Sequence, residues 1–270
     1  MWACYNGRLI TQKAATALSQ QLPFANARSL LETMRWENGK IYLAPYHWQR
    51  LFSGMEALRI PHTAQLNSMA LGAAIEKLTG INGKSAGARV RLQLAPATAA
   101  DAPPTYLISC ADLPQTGLPL TAGVAQNISK TRQALSHLKT ADRQIYNLAA
   151  AEAGLHGWDE ALIANDAGRI IESTIANIFW VENKNIFTPP LSEGCIAGVM
   201  RSYLLARLPR WGFWVAEALL TPERLAAADE VFLASALRGI RPVINIPGIN
   251  NYKDDFFNQI LHHITIAAAP

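Results

Sequence analysis

The chain has 270 residues, of which 50% are hydrophobic and 16% are charged, and its formal net charge is +4. This composition is typical of a globular protein rather than a disordered one, and the length allows one large domain or two ordinary ones. The lysines and arginines are scattered without a basic run, which argues against nucleic acid as a partner.

The sequence carries no signal for export, for a membrane span or for a metal. Its first residues, MWACYNGRLITQK, lack a basic-then-apolar leader pattern, and no apolar run is long enough to span a bilayer. Cys4, Cys110 and Cys195 lie far apart and form no CxxC pair, which favours a reducing, cytoplasmic location. No HExxH motif occurs, so zinc hydrolysis is not indicated and no metal site is predicted.

The first half of the chain predicts a small α/β domain. Its predicted elements are a β-hairpin over 29–43, helices over 46–59 and 65–79, and strands over 87–96 and 105–110. The hairpin prediction depends on Asn38-Gly39, a pair that favours the positive-φ turn between two strands. In the strand over 87–96, alternation places Arg89, Arg91 and Gln93 on one face.

A stretch rich in proline and glycine, 111–123, predicts a linker in the middle of the chain. The predicted division is an N-terminal domain over 1–111, a linker over 112–120 and a C-terminal domain over 121–270. The second half predicts a helix over 141–154, the strands EALIAND, AGRIIES, ANIFWVEN and KNIFTPP, a helix over 199–208, and the strands ADEVFLASAL and IRPVINI. This mixture predicts two α/β domains.

Three features of the second half suggest one ligand. Glu172 opens the apolar strand of ESTIANIFW, where a carboxylate costs free energy unless it is paired; taken alone, its simplest partner is a nearby arginine. Lys139, which taken alone would be a solvated charge, becomes an amine nucleophile if it is shielded from water. Gly198 precedes a helix whose first N–H groups can bind phosphate, although a plain loop is the commoner case. An anion, an amine and a phosphate cup together match pyridoxal 5′-phosphate.

The motifs ESTIANIF (172–179), IFT (186–188) and IAGVMR (196–201) resemble the signature of the class IV aminotransferases, the fold-type IV pyridoxal-phosphate family. That family includes branched-chain aminotransferases, D-amino-acid aminotransferases and 4-amino-4-deoxychorismate lyases. YNGRLI (5–10), ETMRWENGKIYLAPYHWQRL (32–51) and the segment around Lys139 are also similar, in the same order, so the resemblance covers nearly the whole chain. It implies a smaller N-terminal α/β domain, a larger C-terminal domain and the cofactor between them.

The resemblance implies a role for each residue that matches the motif. Lys139 would form the Schiff base with pyridoxal phosphate and shuttle the proton, and Glu172 would bind the ring nitrogen. Asn177 would be structural, bonding strand backbone near the ring. The other implied cofactor contacts are Arg143 near the ring hydroxyl and, for the phosphate, Arg50, Val199, Met200, Ser235 and Ala236.

The sequence departs from the family at the positions that are expected to contact the substrate. Leu31 stands where D-amino-acid aminotransferases usually have a tyrosine, and NARSLL (26–31) lacks the GDG that many family members carry. Arg28, Arg89 and Arg91 then have no assigned role. They are either members of ion pairs or a substrate carboxylate site at a new position, since a guanidinium binds a carboxylate bidentately. Substrate contacts, some across a dimer interface, are therefore predicted at Arg28, Leu31, Thr33, Arg89 and Arg91.

These residues imply a pyridoxal-phosphate enzyme that moves an amino group between an amino acid and a 2-oxo acid. A D-amino acid is the favoured donor, because the chain is short and has spare arginines. The alternative is 4-amino-4-deoxychorismate lyase, which releases pyruvate and 4-aminobenzoate and uses the same cofactor residues. A non-catalytic binding relative is a third alternative, against which the intact Lys139 argues. The expected assembly is a homodimer without nucleic acid or membrane partners.

Overall fold

The computed structural model describes residues 1–21, 23–25, 28–63, 66–97, 102–115 and 119–267. The chain divides into two units: the first is Met1–Gln115 with Leu138–Asp142, and the second is Thr116–His137 with Arg143–Pro270. The division between Gln115 and Thr116 falls inside the predicted linker, of which residues 116–118 lie outside the described ranges.

In the described part of the first unit, one antiparallel sheet carries the strands β1 (Trp2–Tyr5), β2 (Arg8–Thr11), β3 (Leu30–Glu37), β4 (Lys40–Ile41), β5 (Gly87–Ala95) and β6 (Thr105–Ala111). Their spatial order is β2-β1-β6-β5-β3-β4. The helices of this unit are α1 (Gln12–Ser19), α2 (Ala44–Ala57) and α3 (Ser68–Ile81). The predicted hairpin turn is confirmed, because Asn38 and Gly39 have φ values of 49° and 79°.

The two faces of this sheet have different surroundings. On one face, Met34 and Val90 belong to a buried cluster with Leu51, Met55 and Ile75 from α2 and α3. The strand register pairs Thr33 with Arg91 and Leu31 with Gln93. Directly paired residues of adjacent strands point to the same side of a sheet, so these four side chains share the other face. The predicted substrate residues Leu31, Thr33 and Arg91 are therefore on one surface.

The second unit contains a sheet that closes on itself. Its strands are β7 (Leu120–Lys130), β8 (Glu160–Asn165), β9 (Ile170–Ser173), β10 (Asn177–Glu182), β11 (Asn185–Thr188), β12 (Val215–Glu217), β13 (Glu230–Ser235), β14 (Gly239–Ile246) and β15 (Asn250–Asn251). They follow the order β12-β11-β10-β13-β14-β7-β8-β9, with β15 beside β14. A further pairing of β9 with β10 closes a ring of strands, which brings Glu172 opposite Asn177.

The described helices of the second unit are α4 (Gln144–His156), α5 (Val199–Arg207), α6 (Pro222–Ala227) and α7 (Asp255–Ala267), with 3₁₀ turns at Leu191–Glu193 and Leu208–Trp211. The predicted helices over 141–154 and 199–208 correspond to α4 and α5. Within the described ranges, no helix is both long and apolar enough to cross a bilayer.

One short segment departs from the predicted domain bounds. The prediction put residues 138–142 in the C-terminal domain, but they belong to the first unit. The reason is strand-like pairing with the start of β3: the Leu31 N–H donates to the Lys139 carbonyl (2.9 Å) and the Ala141 N–H donates to the Ser29 carbonyl (2.8 Å). Lys139 is thus carried by the first unit although its neighbours in sequence belong to the second.

Candidate functional site

The turn between β9 and β10 places two polar side chains next to each other. Glu172 and Asn177 are directly opposite in the strand register, so their side chains share a face. Ser173 closes the turn, because its hydroxyl accepts the N–H of Ile175 (3.4 Å) and of Ala176 (3.2 Å). The spacing of Glu and Asn in ESTIAN therefore follows from a serine-capped turn.

Both side chains hold the loop that leads into α5. The Glu172 carboxylate accepts the backbone N–H of Ile196 (Oε2, 2.9 Å), and the Asn177 amide donates to the Ile196 carbonyl (2.9 Å). The sequence predicted that Asn177 bonds strand backbone, but its amide bonds this loop instead. The loop before α5 is thus fixed from both sides by β9 and β10.

The start of α5 has the properties of a phosphate site. Gly198 is its N-cap and no side chain caps the helix, so the first N–H groups, including those of Val199 and Met200, have no side-chain acceptor. Uncapped N–H groups and the helix dipole favour an anion at this position. A Cβ at residue 198 would lie 1.8 Å from the Asn177 Oδ1, which is why glycine is required here.

Gly198→Ala is expected to destabilise the second unit by about 1–3 kcal/mol, the usual cost of overpacking. The added methyl group overlaps Asn177 and must displace the loop before α5. Chemical denaturation measures the loss. Gly154→Ala is the matched control, because a Cβ there meets nothing within 4 Å and alanine is the better helix former. If adding Asn177→Ala to Gly198→Ala relieves none of the cost, overlap with Asn177 is not the cause.

Glu172 is paired with a lysine and a tyrosine, so the expectation of an arginine partner is wrong. Its Oε1 accepts a bond from the Lys130 Nζ (2.9 Å) and another from the Tyr146 hydroxyl (2.8 Å). The residue is only 2% exposed. Burial and the neighbouring Glu172 raise the pKa of Tyr146, which therefore stays a neutral hydrogen-bond donor. Glu172 is a buried carboxylate held in one orientation.

Arg143 contacts both the turn between β9 and β10 and the Tyr146 ring. Its Nη2 donates to the Thr174 carbonyl (2.9 Å), and its guanidinium carbon lies 4.6 Å from the centre of the Tyr146 ring. The predicted contact with a ring hydroxyl stays a prediction. Ser235 and Ala236 lie where β13 ends, and the Ser235 hydroxyl accepts the N–H of Arg238 (3.2 Å). Their phosphate role also stays a prediction.

In the first unit, Lys139 lies beside the predicted substrate surface. Its carbonyl accepts the N–H of Leu31, and Thr140 forms a bridge with Leu30. The Lys139 side chain is half-buried, whereas Leu31 is buried and Thr33 is half-buried. The backbone that carries the predicted amine therefore runs next to the strand that carries Leu31 and Thr33.

Arg50 is held by a buried carboxylate in the same unit. Its Nε and Nη2 donate to the two oxygens of Glu32 (2.7 and 2.5 Å), and the His47 Nδ1 lies 2.6 Å from Glu32. Burial alone would favour neutral Glu32, but Arg50 and His47 hold the pKa of this carboxyl at about 2. A guanidinium has five N–H donors, more than the Glu32 pair uses. Arg50 is therefore oriented by Glu32.

Two of the three predicted substrate arginines lie together. Arg89 and Arg91 are exposed and line a cavity of about 220 Å³, to which Gln12, Thr16 and Ser109 also contribute. Arg28 does not line this cavity, because its Nη2 donates to the Leu58 carbonyl (2.9 Å). The structure thus favours Arg89 and Arg91 as a pair and leaves Arg28 apart from them.

The sequence did not predict the roles of Lys130, Tyr146 and Glu32. Lys130 is the last residue of β7, a strand that begins at the Pro- and Gly-rich stretch and was not predicted. Tyr146 lies on the first turn of α4. The usable signal was the tyrosine within the predicted helix over 141–154, since a buried tyrosine hydroxyl requires a partner.

Comparison with known proteins gives the family. Residues 29–246 match the amino-transferase class IV family. The chain is 36% identical to an aminodeoxychorismate lyase of Vibrio harveyi over 138 residues, which are 50% of this chain and 51% of that protein. It is 26% identical to an aminodeoxychorismate lyase of Bacillus subtilis over 255 residues, which are 91% of this chain and 86% of that protein.

Solved structures agree in fold. The branched-chain amino acid aminotransferase of Escherichia coli superposes with a TM-score of 0.85 at 20% identity, covering 98% of this chain and 94% of that one. The 4-amino-4-deoxychorismate lyase of Pseudomonas aeruginosa gives 0.82 at 24% identity and covers 98% of both chains. These matches confirm the predicted fold class. The chain belongs to the amino-transferase class IV family, as its motifs predicted, and is an enzyme of that pyridoxal-phosphate-dependent family.

Proposed function

We propose that this enzyme is a lyase that removes pyruvate from 4-amino-4-deoxychorismate and leaves 4-aminobenzoate. The proposal favours the alternative over the amino-acid transamination that the sequence first suggested. A relative that aligns with nearly the whole chain is named aminodeoxychorismate lyase, whereas the branched-chain aminotransferase relatives align with 38% of it. The observation that carries the proposal is the pair Arg89 and Arg91 beside the strand that carries Leu31 and Thr33.

The arginine pair suits a substrate with two carboxylates. 4-Amino-4-deoxychorismate has one carboxylate on the ring and one on the enolpyruvyl group, whereas a branched-chain amino acid has one. Each guanidinium can bind one carboxylate through two parallel N–H bonds. Thr33 pairs with Arg91 in the strand register and lies on the same face, so its hydroxyl is a further predicted substrate contact.

The residues of the second unit fit pyridoxal phosphate. The glycine-lined, uncapped start of α5 suits its phosphate, and the Glu172 Oε2, which accepts one described N–H, suits its ring nitrogen. When bound, the cofactor withdraws electrons from the carbon that bears the substrate amine. We assign Lys139 the roles of holding the cofactor covalently and moving the proton of that carbon. Arg50, Ser235 and Ala236 complete the phosphate contacts.

The reaction needs no second substrate. Loss of the proton from the amine-bearing carbon is followed by cleavage of the ring carbon–oxygen bond to the enolpyruvyl group. The ring becomes aromatic, and the released enol takes up a proton as pyruvate. Lys139 is the base in this scheme, and Glu172 would hold the proton on the ring nitrogen of the bound cofactor.

Lyase activity is tested by incubating the holoenzyme with 4-amino-4-deoxychorismate alone. Pyruvate is followed with lactate dehydrogenase and NADH, and 4-aminobenzoate by chromatography. We expect equal amounts of both products over many turnovers without a 2-oxo acid. Turnover only when an amino acid and a 2-oxo acid are supplied together would instead identify a transaminase, and parallel assays with D- and L-amino acids would then give the donor's configuration. The cytoplasmic location and the homodimer remain proposals.

Arg89→Gln and Arg91→Gln are each expected to raise KM for the lyase substrate about ten- to a hundredfold, the scale of one charged hydrogen-bonded contact. Arg210→Gln, which removes an exposed arginine of the second unit, is the control for a change in net charge. Unchanged KM in both cavity variants would remove these arginines from the substrate site.

Arg50→Ala is expected to weaken binding of pyridoxal phosphate about ten- to a hundredfold while leaving binding of unphosphorylated pyridoxal nearly unchanged. The comparison is needed because Arg50 also pairs with the buried Glu32, so its loss affects the fold as well as the phosphate. Equal losses for the two ligands would show that Arg50 acts through Glu32 and not on the phosphate.

A further inference from the structure

Lys130 has all three of its ammonium donors in use. Its Nζ lies 3.0 Å from the Ser136 carbonyl, 2.7 Å from the Tyr146 hydroxyl and 2.9 Å from the Glu172 Oε1. The side chain is only 12% exposed. A lysine whose nitrogen is fully engaged by hydrogen bonds beside a buried carboxylate is a poor amine nucleophile. Lys130 therefore does not replace Lys139 as the amine that holds the cofactor.

The bonds to Glu172 leave one direction open. A carboxylate has about four acceptor positions, two on each oxygen. Within the described part of the chain, Oε1 accepts from Lys130 and Tyr146, while Oε2 accepts from the Ile196 N–H. One acceptor position thus remains, on Oε2. The three donors both orient the carboxylate and select which oxygen can receive a further N–H.

Lys130 also attracts Glu172 by its charge. Glu172 is only 2% exposed, so water screens this attraction little. The Lys130 ammonium group lies 2.9 Å from the carboxylate and attracts it directly. Tyr146 adds a second donor, and its ring is packed under the Arg143 guanidinium.

We propose that Lys130 is a positioning residue that holds the Glu172 carboxylate in one orientation and directs its Oε2 toward the ring nitrogen of the cofactor. The inference rests on the proposed cofactor roles and adds a residue that the family motif does not contain. Lys130 acts through Glu172 and touches neither substrate nor cofactor. Its effect must therefore vanish when the Glu172 carboxylate is replaced by a neutral side chain.

The test measures cofactor binding to the full-length apo-protein. Lys130→Met, Lys130→Arg and the control Lys253→Met, at an exposed lysine of the same unit, are titrated with pyridoxal phosphate. Dissociation constants and visible spectra are recorded, together with unfolding midpoints without cofactor. We expect Lys130→Met to weaken binding about ten- to a hundredfold and to shift the visible band, Lys130→Arg to retain most of the affinity, and Lys253→Met to match the wild type.

A double-mutant cycle with Glu172→Gln separates the possible explanations. If Lys130 acts through Glu172, Lys130→Met adds little further loss of affinity in the Glu172→Gln background. An equal loss in both backgrounds overturns the proposal, as does a Lys130→Met protein that is less stable but has a wild-type dissociation constant and band. Failure of the wild-type protein to bind pyridoxal phosphate would instead overturn the proposed function, so the two failures are distinguishable.

Discussion

Lys139→Ala is expected to lower kcat by more than about 10³-fold, even at saturating cofactor. The substitution removes both the amine that holds the cofactor and the base that moves the substrate proton. The fold should survive, because the contribution of Lys139 to the first unit includes its backbone carbonyl, which alanine retains. Steady-state pyruvate release by variant and wild type, normalised to folded protein, gives the ratio.

Lys253→Met serves as the matched control for Lys139→Ala, because it removes one lysine charge from an exposed position. It should keep wild-type kcat. A Lys139→Ala enzyme with more than about a tenth of wild-type kcat would exclude Lys139 as both tether and base, since a lost general base alone costs about 10²-fold or more.

Glu172→Gln is expected to slow removal of the substrate proton by about 10²-fold or more, the scale of a lost electrostatic stabiliser. Glutamine has nearly the same shape but no charge. Because it replaces a carboxylate that accepts from donors on both oxygens, its amide N–H₂ must face either the Ile196 N–H or the Lys130–Tyr146 pair. We therefore also expect about 1–3 kcal/mol of lost stability from the unsatisfied donors.

The chemical effect of Glu172→Gln is separated from its structural effect by stopped-flow absorbance. The single-turnover rate is measured at a temperature where the variant is fully folded, with Gly198→Ala as a control that disturbs the same loop without removing the charge. Wild-type single-turnover rates in folded Glu172→Gln would refute the electrostatic role. A rate loss equal to that of Gly198→Ala would attribute the effect to the loop.

Local sequence signals were sufficient for much of the fold and for the centre of the site. Asn38-Gly39 fixes a turn, because the turn depends on backbone geometry that few other residues adopt. ESTIAN indicated the adjacent Glu172 and Asn177, since its serine-capped turn is local. In each case the information lies within a few consecutive residues.

The unpredicted parts depend on contacts between residues far apart in sequence. Lys130 reaches Glu172 only because β7, β8 and β9 are neighbours in the closed sheet. Arg50 and Glu32 meet because α2 packs on β3, and the segment around Lys139 joins the first unit by pairing with β3. Nothing in the residue pattern of QNISK (126–130) distinguishes a buried lysine from a solvated one. The burial of Lys130 could therefore be seen only in the folded structure.

The most direct test of this account is to find which lysine holds the cofactor. The holoenzyme is reduced with borohydride, digested with trypsin and mapped by mass spectrometry. Because a modified lysine resists trypsin, we expect the cofactor mass on a peptide spanning residues 133–143, with Lys139 uncleaved. The same mass on Lys130 or Lys184 would contradict the assignment of Lys139 and, for Lys130, the positioning role as well.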